Sequence, residues 1–204
     1  MPSPLLSASE FAKEFFRSLQ DTLAVVEDSN KSLKPWTAGV DEALRRMGKK
    51  RNLCVYPSPE RWYESEYLLD LIWLDERKSS PRRGVVELAA EIEWGRVDDV
   101  RYDFEKLILV KAPLKLMVCD PWSGNDAEEL LPTLSRSLEF YADHRRGETY
   151  LVADLEWNGA KRQLALRSYV WEPTADGRPE GPEFVKLAHL GPERLGYRGQ
   201  ATET

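Results

Sequence analysis

The run Val85-Val86-Glu87-Leu88-Ala89-Ala90-Glu91-Ile92-Glu93-Trp94-Gly95 decides how this chain is read. Val86, Leu88, Ala90, Ile92 and Trp94 alternate with other residues at a period of two, the pattern of a strand with one face in a core. Glu87, Ala89, Glu91 and Glu93 fall on the opposite face, so three carboxylates project together. Like charges on one strand face repel unless they are solvated, paired or bridged by a cation. A solvated amphipathic strand is the bland reading of that pattern. Asp70 argues against it. It sits within Tyr67-Leu68-Leu69-Asp70-Leu71-Ile72-Trp73-Leu74, and an acid flanked by apolar residues in a core strand requires a partner. Asp70 and Glu91 together point to a hard divalent cation held between neighbouring strands.

Working outward, Ser7-x-x-Glu10 reads as a capping box opening a helix to about residue 26, with Phe11, Phe15, Leu19 and Leu23 on its apolar side. A short helix follows over 40–47, stopped by Gly48, and then a first strand over 52–56. The second strand covers 66–75 and the third 84–94. A helix over 99–111 carries Val100, Phe104, Leu107 and Ile108 inward, and Pro113 separates it from a buried strand over 114–119. Another helical segment begins at Asn125-Asp126 and runs to Gly147, with Pro132 expected to break or restart it. Strands over 149–157 and 161–171 flank Asn158-Gly159, a hairpin signal. The pattern describes one α/β (α+β) domain over 1–172 around a mixed sheet, with its core at 52–120 and an appended hairpin. The Pro-, Gly- and charge-rich stretch 173–204 reads as a loosely ordered tail.

Bulk properties narrow the function. The 204 residues are 42% hydrophobic and 31% charged, enough for one sizeable core. A net charge of -6 argues against coating nucleic acid through bulk charge. The two cysteines, Cys54 and Cys119, lie in apolar strand-like runs, where buried thiols are expected rather than a disulfide, and a cytoplasmic location follows. No run approaches a membrane span, and no basic-then-apolar leader is present. His144 and His189 each stand alone, which disfavours zinc and histidine–metal chemistry. Walker, dinucleotide and nucleophile-elbow motifs are missing. Carboxylate chemistry is what remains.

Asp70 in the second core strand, followed by Glu91-x-Glu93 near the end of the third and just before a helix, resembles the PD-(D/E)XK superfamily of restriction-endonuclease-like nucleases. The resemblance covers about 52–120. It implies a restriction-endonuclease-like mixed sheet flanked by helices, and a magnesium ion, with manganese as a substitute, bound by Asp70 and Glu91. Glu93 then takes the place of the usual lysine that positions or deprotonates the attacking water, a Glu-x-Glu variant of the motif. An ammonium from the following helix can compensate, and Lys106 in Asp103-Phe104-Glu105-Lys106-Leu107 is the candidate. The implied activity is hydrolysis of DNA phosphodiesters by Asp70, Glu91, Glu93 and Lys106, with the Ile92 carbonyl as a further ligand to the ion. Asp103 and Glu105 read as solvated or paired along their helix.

Two basic groups could meet the phosphates: Arg45, Arg46, Lys49, Lys50 and Arg51 ahead of the first strand, and Arg77, Lys78, Arg82 and Arg83 between the second and third. Trp62, Trp73, Trp94, Trp157 and Trp171 read as core or sheet residues rather than base-stacking platforms. DNA is the expected partner, and a homodimer is compatible with double-strand cleavage, which commonly needs two sites. The alternative class is a catalytically inactive interaction or structural protein that keeps the nuclease-like fold. A carboxylate hydrolase acting on a small phosphorylated substrate is the third reading.

Overall fold

The computed structural model describes residues 6–23, 34–56, 68–78, 84–120, 124–141, 148–158, 163–172 and 184–194. Four helices flank a seven-stranded mixed sheet whose strands lie side by side in chain order, so the α+β reading holds.

The first helix, α1 (Ala8–Leu23), opens with the expected capping box. Ser7 N donates to Glu10 Oε2 at 3.1 Å, and Glu10 N donates to Ser7 Oγ at 3.3 Å. Two otherwise orphaned helix-end donors are thereby satisfied, a gain of about 1 kcal/mol. The second helix, α2 (Lys34–Lys50), is longer than its sequence suggested and runs through Gly48. That glycine serves packing instead of termination: a Cβ there would lie 2.6 Å from Val55 and 2.9 Å from the Trp73 indole nitrogen. The stop is Asn52, whose φ of 57° is the left-handed conformation of a helix C-cap. Leu53 N donates back to Gly48 O at 3.1 Å, completing the cap.

Strands β1 (Cys54–Tyr56), β2 (Leu71–Asp75) and β3 (Val85–Glu93) pair antiparallel in that order. A single 3-10 turn, Glu76–Lys78, follows β2. Helix α3 (Val97–Leu109) leads to β4 (Leu114–Cys119), parallel to β3. Helix α4 (Gly124–Phe140) leads to β5 (Thr149–Asn158), parallel to β4. Pro132 lies inside α4 without ending it, contrary to expectation. Proline lacks one N–H donor, and here the remaining turns keep the helix together. Strand β6 (Gln163–Trp171) returns antiparallel to β5, with Asn158 opposite Gln163; the hairpin loop itself lies outside the described residues. The stretch expected as a tail supplies a seventh strand, β7 (Val185–Arg194), antiparallel to β6.

Every residue of β4 is buried because the sheet is covered on both sides. Phe11, Phe15 and Leu19 of α1, with Leu44 and Met47 of α2, pack on Leu88, Ala90, Ile92, Leu116 and Leu151. Val100, Phe104 and Leu107 of α3, with Leu134 and Leu138 of α4, pack on Ala89, Met117, Tyr150 and Val152. Trp73, Trp94 and Trp171 are buried, as expected of core residues. Both cysteines are free thiols, Cys119 buried and Cys54 half-buried. Among the described residues, no helix is long and apolar enough to cross a membrane.

Candidate active site

The period of two along β3 places Ala89, Glu91 and Glu93 on the α3 side of the sheet. This face is not solvated: Glu87 is 4% exposed and Glu91 1%. On α3, Asp99, Asp103 and Lys106 recur at i, i+4 and i+7, a stripe beside the buried face of Val100, Phe104 and Leu107, with Asp99 exposed and Asp103 and Lys106 half-buried. Arg96 N donates to Asp99 Oδ2 at 3.0 Å, which fixes the start of the helix beside the end of β3.

Asp70 is corrected in position. It lies in a bend at 68–70, just ahead of β2, and is exposed; Leu68 beside it is 61% exposed. An acid inside a buried strand is therefore not what the structure contains. The pairing register explains how Asp70 still reaches Glu91. The last β2–β3 pair is Leu71 with Ala90, so one step further Asp70 comes opposite Glu91. Asp70 Oδ2 accepts the Ile92 N–H at 2.8 Å, extending the ladder with a side chain where the backbone of β2 has left it. The Asp70 carboxylate is near enough to Glu91 for its charge to add to the upward push on the Glu91 carboxyl.

Lys106 Nζ stands 2.7 Å from Glu91 Oε1 and 2.8 Å from Asp103 Oδ1. Glu93 accepts the Gly95 N–H and touches the Asp103 carboxyl group. The four residues expected at the site, Asp70, Glu91, Glu93 and Lys106, are thus brought together, and Asp103 joins them. Asp103 is paired along its helix, one of the two sequence readings, through its i, i+3 contact with Lys106; the sequence does not show that this pair faces Glu91 and Glu93. Gly95 is required by crowding. A Cβ there would fall 2.6 Å from Glu93 Oε1 and 2.7 Å from Asp99 Oδ2.

Burial pushes the Glu91 carboxyl up to about 8; Lys106 opposes the shift and Asp70 adds to it. Burial also raises Glu93, against the Gly95 N–H and with help from Asp103. For Lys106 burial acts downward, yet Asp103 and Glu91 outweigh it and hold the ammonium above its ordinary range. The cluster therefore carries more acid than its one ammonium balances.

A second acidic group borders the first. Parallel pairing aligns Glu93 with Cys119 and Cys119 with Asp154, so β3 and β4 end level with Asp154, while β5 runs on to Asn158. Asp154 is 4% exposed and pairs with Arg167 at 2.8 Å. Burial, then the Asp154 charge, pushes the neighbouring Asp120 up to about 6. The parallel β4–β5 register brings Asp120 beside Asp154, and the antiparallel β5–β6 pairing sets Arg167 opposite Asp154.

The basic groups lie elsewhere. Helix α2 and the turn after it belong to the opposite layer, against the other face of β3. There Arg45 pairs with Asp41 at 2.6 Å, Arg46 with Glu42 at 2.7 Å, Lys50 with Glu14 at 3.3 Å, and Arg51 with Glu14, while Lys49 is exposed. Arg77 pairs with Asp75 at 3.0 Å, at the Val85 end of β3 and away from Glu93. Arg82 and Arg83, and the side chain of Lys78, lie outside the described residues. The described members of the two groups do not flank the carboxylates: α2 lies in the opposite layer, and Arg77 follows Asp75, which pairs with Val85 at the other end of β3.

The residues fit a magnesium-type ion in one respect. Glu91 Oε1 is buried, and its one close charge partner among the described residues is the Lys106 ammonium at 2.7 Å. Magnesium keeps several waters and is satisfied by one or two carboxylates. Among the described residues no group of three or more His, Cys, Asp or Glu side chains surrounds one point. An ion here would be held by two carboxylates and water rather than by a closed protein cage. Comparisons of the chain with family models, with curated proteins and with solved structures give no match in any of the three.

Proposed function

We propose that this chain is a magnesium-dependent nuclease of the restriction-endonuclease-like type, hydrolysing phosphodiester bonds in DNA. The observation that carries the reading is the meeting of Asp70, Glu91 and Lys106, from the approach to β2, from β3 and from α3, around one buried carboxylate. The element order around it, three strands, a helix and a fourth strand, is the order the motif resemblance implies.

In this reading Asp70 and Glu91 hold the ion, and manganese substitutes for magnesium. When bound, such an ion polarises the phosphodiester and lowers the pKa of a coordinated water. Glu93 orients the attacking water, and its burial raises its affinity for the proton that water gives up. Lys106 faces the same pocket and supplies positive charge to a phosphate oxygen, the part a motif lysine would otherwise play. The unpaired thiols of Cys54 and Cys119 support a cytoplasmic location. Incubating the protein with plasmid and single-stranded DNA under magnesium or manganese tests the reading. We expect cleavage that Asp70→Ala abolishes; no cleavage, or cleavage that survives Asp70→Ala, ends the catalytic claim.

One observation favours a second reading, a non-enzymatic interaction protein on the same fold. The Lys106 contacts with Glu91 and Asp103 already supply a counter-charge without any ion. That reading expects a melting temperature indifferent to millimolar magnesium.

A further inference from the structure

We infer that the Lys106 ammonium is the resident counter-cation of this site, occupying the place a divalent cation takes on Glu91 and withdrawing to Asp103 when such a cation binds. The inference rests on the cation reading above and adds a device that decides when the site is loaded.

Geometry makes the two occupants exclusive. Lys106 Nζ is 2.7 Å from Glu91 Oε1. A magnesium–oxygen bond is about 2 Å long, so an ion on that oxygen would lie within roughly 5 Å of the ammonium from any direction. A double and a single positive charge that close repel strongly where water is largely excluded, and Glu91 is only 1% exposed. One of the two must leave.

Lys106 is built to leave. Its Nζ is already shared between two carboxylates, Glu91 Oε1 at 2.7 Å and Asp103 Oδ1 at 2.8 Å. Its second partner, Asp103 at 2.8 Å, is three residues back on the same helix and remains available when Glu91 is given up. The Lys106 side chain is 22% exposed, so its flexible stem has a way outward. A divalent ion offers Glu91 twice the charge of the ammonium, whereas a monovalent ion offers no more than is already there. The exchange therefore selects for divalent cations.

Two measurements on the full chain test this. Calorimetric titration with manganese should show Lys106→Met binding roughly tenfold or more tightly than wild type, since a competing charge is gone; equal or weaker binding overturns the inference. In wild-type protein, acetylation by a succinimidyl ester, read by peptide mass spectrometry, should become several-fold faster at Lys106 on adding magnesium, with exposed Lys49 as the internal reference. Unchanged or slower labelling overturns the inference even if Lys106→Met does not fold. Failures of the two readings are distinguishable. Wild-type protein that binds no manganese removes both. Binding that Asp70→Ala abolishes, with Lys106→Met no tighter, removes only the role of Lys106.

Discussion

Replacing Asp70 by Asn should stabilise the metal-free protein, and the gain should grow with pH. Asp70 Oδ2 accepts the Ile92 N–H at 2.8 Å, and an asparagine oxygen can keep that bond. The substitution removes a negative charge near Glu91, whose carboxyl is pushed up to about 8, first by burial. The sign follows from linkage: a carboxyl raised from its unfolded value favours the folded state while protonated, and that contribution is lost as pH rises from about 4.5 through about 8. At pH 6 Glu91 is protonated and uncharged, so Asp70→Asn changes little. At pH 9 wild type sets two carboxylates against each other. Two unit charges about 4 Å apart interact by about 1 kcal/mol in water and about 4 kcal/mol at an effective dielectric of 20. Asp70 is exposed, which places the cost near the lower figure. A gain of about 1 kcal/mol corresponds to roughly 2–4 °C in melting temperature for a chain of this size. Thermal melts in chelator at pH 6 and pH 9 read the difference directly. A variant that melts below wild type at pH 9, or by the same margin at both pH values, would refute the picture of two opposed acids. With saturating magnesium the order should reverse, because only wild type gains binding energy.

Two further outcomes follow from residues around the site. Lys115 is 1% exposed at the start of β4, with Nζ 3.1 Å from Glu148 Oε2 and 2.7 Å from the Tyr150 hydroxyl; Lys115→Met removes the charged partner of that buried carboxylate, leaving it the Tyr150 hydroxyl at 3.4 Å, and should cost about 3–5 kcal/mol in urea unfolding, with Glu148→Gln in the same chain restoring part of the loss. A loss under 1 kcal/mol would show that Glu148 finds another partner. Gly95→Ala forces its new methyl against Glu93 and Asp99; overpacking there should cost about 1–3 kcal/mol in unfolding and, on the nuclease reading, cut DNA cleavage more than it weakens manganese binding to Asp70 and Glu91. Cleavage at the wild-type rate would remove Glu93 from the reaction.

Local signals carried much of the architecture. Alternation from Val86 to Trp94 identified β3 and the face its glutamates share, Ser7 and Glu10 marked the start of α1, and Pro113 separated α3 from β4. These signals survive because period, caps and proline geometry act over a few residues, within reach of one segment's own chemistry. Where neighbours compete, sequence reading erred. Gly48 reads as a helix stop, yet close packing against Val55 and Trp73 keeps it inside α2. The stretch after residue 173 has the composition of a tail, yet pairing with β6 makes 185–194 a strand. Asp70 was singled out for the wrong environment: it is exposed in a bend, and register alone carries it to Glu91.

From the amino-acid order alone came the mixed α/β domain, the acidic face of β3 and the short set of residues worth watching, because hydrophobic period and chain punctuation are written locally. The folded molecule decided which of those residues meet. Sheet register set Asp70 across from Glu91, and the packing of α3 turned Asp103 and Lys106 toward the same carboxylate. The same packing sent the basic residues of α2 to the opposite layer. Contacts between segments far apart in the chain depend on which faces bury together, a property of the whole core and of no single segment.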